Sequence, residues 1–117
     1  MSKTNVPPKM YRQGDVLVVA IAAIPQGAKM EQTNGRIVLA YGEATGHAHA
    51  IVAEQATAFR TKAPVPVFDA QAERFLRVQV TALLKHEEHD TVTLPAGDYA
   101  VIQQREYSPE EIRRVQD

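Results

Sequence analysis

The 117-residue chain has no cysteine, almost no net charge and no long apolar run. Without cysteine there is no disulfide, no zinc–thiolate or iron–sulfur centre, and no thiol nucleophile. Thirteen Lys+Arg against fourteen Asp+Glu leave a formal charge of −1. That balance argues against a generic coat for long duplex DNA, which needs many phosphate-neutralising cations. It is compatible with a small anionic ligand held by a few residues. The longest apolar run, Val16 to Ile24, covers nine residues, well short of the ~20 that span a bilayer. The N-terminus has no signal-peptide-like stretch. These absences point to a cytoplasmic protein with no membrane partner.

What is present reads as one mainly β domain. The length suits a single domain, and a chain of this size buries roughly two-thirds of its unfolded surface. Residues 1–9, with Pro7-Pro8, read as a flexible arm, leaving 10–117 as the domain. Val16–Ile21 is rich in β-branched residues and predicts a buried strand. Thr33-Asn34-Gly35 predicts a hairpin turn with Arg36–Ala40 as the returning strand. Ala48–Ala53 and Thr57–Thr61 are short strand candidates, and the prolines of Pro64–Phe68 place that segment at an edge. Ala70–Arg74 favours helix, whereas the alternation from Leu76 onward favours strand. Thr91–Leu94, a Pro95–Asp98 turn and Tyr99–Gln104 predict a hairpin. Ser108-Pro109-Glu110-Glu111 combines an N-cap, a proline at the first helical position and an acid three residues after the cap. The expected architecture is a compact β-barrel or sandwich with a short C-terminal helix, α+β at most.

The chemistry concentrates in histidine. All four lie in two pairs, Gly46-His47-Ala48-His49 and His86-Glu87-Glu88-His89. In an extended segment His47 and His49 share a face. Two chemistries compete for them. One is a divalent transition metal held by His47, His49, Glu54 and a later histidine such as His89. Their spacing approximates the first cupin motif, but no histidine follows the Pro95-Ala96-Gly97 turn where a cupin places its last ligand. The other is metal-free phosphodiester cleavage with no cofactor, in which a ribose 2′-hydroxyl attacks the adjacent phosphorus. Histidine suits both proton transfers of that reaction, and Lys85, Arg12 or Arg105 suits the charge that develops on phosphorus. A third possibility is a non-catalytic module that sequesters a nucleotide or a protein.

The stretches Tyr11–Leu17, Gly42–His49, His86–His89, Leu94–Tyr99 and Gln104–Pro109 together resemble a family of small bacterial and phage-borne proteins, the CRISPR-associated ring nucleases. The resemblance implies a homodimer that linearises cyclic oligoadenylate or related cyclic nucleotides without metal. On this sequence it puts His47, His49, His86 and Lys85 in catalysis, with Lys85 as charge stabiliser. Arg12, Gln13, Thr45, Gln103, Arg105 and Tyr107 become the substrate-binding candidates.

Overall fold

The computed structural model describes residues 9–41, 46–68 and 70–103. The expected C-terminal helix, most of the N-terminal arm and the loop 42–45 lie outside them. The fold is mainly β, built from two antiparallel sheets. The larger is formed by β1 (Met10–Gln13), β2 (Val16–Ile21), β3 (Lys29–Met30), β6 (Ala56–Val67), β7 (Ala70–Leu84) and β8 (Val92–Gln103), in spatial order β1-β2-β8-β7-β6-β3. The smaller is the pair β4 (Arg36–Tyr41) and β5 (Ala48–Val52), followed by a 3₁₀ turn, Ala53–Gln55. No helix among the described residues is long and apolar enough to cross a membrane.

Alternation along the strands builds two apolar layers. On one face of the large sheet, Val16, Val18, Leu76, Tyr99 and Val101 pack against Ile37, Leu39 and Ile51 of the β4–β5 pair. On the other, Leu17, Val19, Phe75 and Ala100 form a second cluster. Consecutive residues of β1 divide between these faces. Gln13 is buried, whereas Arg12 borders a hollow with Met10, Leu17 and Phe68.

Three local expectations change. Ala70–Arg74 is strand throughout, because it pairs with the far end of β6 (Val65↔Ala72, Val67↔Ala70) and with β8 (Arg74↔Val101); tertiary pairing overrides a weak helical preference. Pro95–Asp98 is not a hairpin turn but part of the continuous β8, opposite a register shift between Val78 and Thr81. Proline is tolerated there because β2 pairs only as far as Ile21↔Asp98, so no ladder donor is required beyond it. Gly35 does take the left-handed conformation (φ 81°), yet beyond a single Asn34↔Arg36 bridge β4 pairs with the later β5.

Arg74 fastens the two sheets together. Its Nη2 and Nε donate to the two carboxylate oxygens of Glu31 at 2.9 and 3.1 Å, and its Nη1 donates to the Val38 carbonyl at 2.8 Å. That carbonyl lies where the β4–β5 register shifts between Val38 and Ala40. A half-buried bidentate pair of this kind is stronger than a surface ion pair. Arg74→Met keeps the aliphatic stem and removes the hydrogen bonds. The expected loss is about 2 kcal/mol, on the scale of bonds to a charged group, read as a lower urea midpoint at unchanged slope.

Candidate functional site

The two histidine pairs meet because β5 adds to the end of β7. Ala50 and Lys85 exchange both backbone hydrogen bonds at 2.9 Å, which sets His47 and His49 beside the loop that carries His86 and His89. The imidazoles stack closely. His49 lies 4.2 Å from His86 (centroid to centroid, 25° between planes), His86 lies 4.8 Å from His89, and His47 meets His86 edge-on at 5.8 Å.

Each ring is held by a different partner. His49, only 3% exposed, has its Nδ1 at 2.8 Å from the Gln13 Oε1 and its Nε2 at 3.6 Å from the Asp15 carboxylate. Glu88 serves two rings. Its carboxylate stands 3.4 Å from the His47 Nδ1, and its backbone N–H donates to the His86 Nδ1 at 3.0 Å. A nitrogen that accepts an N–H carries no proton, so neutral His86 bears its hydrogen on Nε2. That Nε2 is buried and has no hydrogen-bonding partner among the described residues. Glu87 accepts the Ala48 N–H at 2.9 Å, and this bond holds its carboxyl below the ordinary range.

The remaining sequence candidates fall as follows. Lys85 is exposed and, with Arg36, flanks a groove of about 330 Å³ floored by Ala48, Ala50 and Val52 and ending at His86 and Glu87. Gln103 reaches the cluster indirectly, donating from Nε2 to Asp15 at 3.1 Å. Arg12 lies on the opposite face of β1 from Gln13. Glu54 is exposed on the 3₁₀ turn. Thr45, Arg105 and Tyr107 lie outside the described residues. Asp15, Glu88 and Arg36 were not nominated from the sequence. The Asp beside Gly14 and the acids between His86 and His89 were visible there, but only the folded chain turns them toward imidazoles.

A metal, if one were held, has one set of ligands among the described residues, His47, His86 and Glu87, whose ligand atoms lie within 4.8 Å of one another. Glu54 is not part of it. The hydrogen on the His86 Nε2 weighs against this set, since a ligating nitrogen needs its lone pair.

Gly14 closes one side of the cluster with bare backbone. Its φ is 59°, and a Cβ there would lie 2.9 Å from the His89 Nε2 and 3.2 Å from the His49 Cε1. His89 is exposed and can swing aside, whereas His49 is packed. Gly14→Ala is expected to cost about 1–2 kcal/mol from left-handed strain alone, with a displaced His49 ring resonance in the NMR spectrum.

Burial, reinforced by the charge of His86, lowers the His49 pKa below its ordinary 6.5, and Asp15 opposes this only in part. The unfolded chain therefore binds this proton more readily than the folded one. Stability is full above pH 6.5 and falls as the pH drops below it. One such group contributes at most about 1.4 kcal/mol per pH unit. His49→Gln, which can still donate to Gln13, should show a shallower fall in urea midpoint between pH 7.5 and 5.5.

Residues 12–104 match the model of a family described as a domain of unknown function (DUF8820). No curated protein and no solved structure matches the chain. The matched span begins at Arg12 in β1 and passes through every later strand, both histidine pairs and Gln103. The chain belongs to the DUF8820 family.

Proposed function

We propose that the protein is a metal-independent phosphodiesterase that linearises a small cyclic oligonucleotide. Cyclic oligoadenylate is the substrate class that the resemblance to ring nucleases implies. The observation that carries this reading is the pairing of His47 and His86 around Glu88. The carboxylate favours a proton on the His47 Nδ1, leaving Nε2 to exchange one with substrate. The backbone of the same residue fixes the His86 ring with its hydrogen on the buried Nε2, so that it packs edge-on against His47 as a neutral support. One ring thus moves a proton while its neighbour holds it in place.

In the reaction the substrate's 2′-hydroxyl loses its proton to a histidine and its oxygen bonds to phosphorus. The P–O5′ bond breaks, and a protonated histidine returns a proton to the leaving 5′-oxygen. The products are a 2′,3′-cyclic phosphate and a 5′-hydroxyl. His47 and the exposed His89 are the proton-transfer groups open to substrate. Lys85 meets the equatorial oxygens, and the Arg36–Lys85 groove takes the flanking nucleotide. His49, buried behind His86, supports the site from within. A two-fold dimer in the cytoplasm presents this set twice to a pseudo-symmetric ring.

The test is to incubate the protein with cyclic di-, tri-, tetra- and hexa-adenylate, with and without EDTA, and to resolve products chromatographically. Linear products ending in 2′,3′-cyclic phosphate, indifferent to EDTA, are expected. His47→Ala should lower the rate on the order of 10²–10⁴-fold, and Arg36→Ala should raise KM. Activity lost with chelator and restored by zinc or manganese would overturn the reading in favour of a metal at His47, His86 and Glu87. Intact ligand recovered from a tight complex would make the protein a sequestering module.

A further inference from the structure

We infer that Gln13 never touches substrate and is instead the positioning residue of the histidine cluster, holding His49 in its Nδ1–H form and pinning both ends of the loop that carries His86 and His89. The inference rests on the proposed nuclease reading only for its kinetic consequence.

The argument is one of donor and acceptor accounting. A glutamine amide offers two N–H donors and one carbonyl acceptor. Both donors are spent, since Nε2 lies 2.8 Å from the Leu84 carbonyl and 2.9 Å from the Asp90 carbonyl. Carbonyls only accept, so the amide cannot be turned over without losing both bonds. Its oxygen must then face His49, and the 2.8 Å contact to Nδ1 needs a hydrogen on that nitrogen. In neutral His49 the lone pair is therefore on Nε2, toward Asp15 at 3.6 Å. Gln13 is 2% exposed, and every polar group it has is engaged inside the protein. A residue so placed has nothing left to offer a ligand.

The same two donors have a mechanical role. Leu84 precedes Lys85 and His86, and Asp90 follows His89, so one side chain spans the neck of a six-residue loop. It also fixes the plate on which that loop packs, because His49 stacks on His86 at 4.2 Å and on His89 at 5.9 Å. Loss of Gln13 would free the neck and the plate together.

Imidazole ¹⁵N and ¹³C chemical shifts above pH 7.5 read tautomers directly and need no substrate. Wild type should show His49 as the Nδ1–H form and His86 as the Nε2–H form. Gln13→Met, of similar length and without polar atoms, should turn His49 into a tautomer mixture. Gln13→Glu should keep the hydrogen on the His49 Nδ1 while losing the donors to Leu84 and Asp90. In turnover of cyclic tetra-adenylate, or whichever ring is cleaved, Gln13→Met should lower kcat on the order of 10²-fold, as expected for groups displaced by about an ångström. KM should stay within about threefold, because no substrate contact is lost. A wild-type His49 in the Nε2–H form overturns the inference whether or not any variant folds. So does a folded Gln13→Met protein with unchanged tautomer and kcat, or one whose KM alone rises. If the tautomers are as stated but no cyclic nucleotide is cleaved, the nuclease reading fails and the positioning role stands.

Discussion

The site exists because of one pair of backbone hydrogen bonds. Ala50 and Lys85 meet as isolated bridge partners, joining the small hairpin to the tail of the longest strand. That junction is the backbone link between the two histidine motifs, and the Gln13, Glu87 and Glu88 side chains reinforce it. The junction is in turn secured by the apolar layer around it. Leu84 and Ile51, the neighbours of its two members, are fully buried. Hydrophobic burial thus supplies the stability, and a directional backbone contact converts it into a chemical constellation.

Packing four imidazoles into one volume carries an electrostatic constraint. If all were cationic, rings 4–6 Å apart would repel strongly in a partly dry environment. The chain answers with carboxylates around the rim and neutrality in the middle. Asp15 faces His49, Glu88 faces His47, and Glu87 is tied down by the Ala48 amide. The buried ring, His49, is the one whose pKa is lowered, by burial and by its neighbour His86.

Much of this was legible in the sequence, and the rest was hidden for definite reasons. The β class followed from runs such as Val16–Ile21, and the grouping of the four histidines into two short pairs was plain. Their meeting could not be read, since it depends on partners 35 positions apart choosing one another. Gln13 shows the limit most clearly. It and Arg12 stand side by side as polar residues at a strand entry, and register alone decides which faces inward. β1 pairs with β2 as Arg12↔Leu17 and Gln13↔Val16, and a slip of one residue would exchange their roles. Pro95–Asp98 misled for a related reason. Its residues suit a turn, but they lie within a strand that has outrun its neighbour β2.

The Gln13 side chain that spans the neck of the Lys85–Asp90 loop also separates two kinds of change the protein can undergo. Events above the neck alter what the loop presents, while the points at which the chain leaves and re-enters the sheet stay put. The tip between His86 and His89 is tied by contacts of its own, the Glu87 carboxylate to the Ala48 N–H, the Glu88 carboxylate to His47 and the Glu88 N–H to His86, so the loop is anchored at its crown as well as at its neck. Loops anchored in this way are the places where a stable scaffold acquires new recognition. In this chain a single amide joins the scaffold to the segment that presents its chemistry, so that neither can shift without the other.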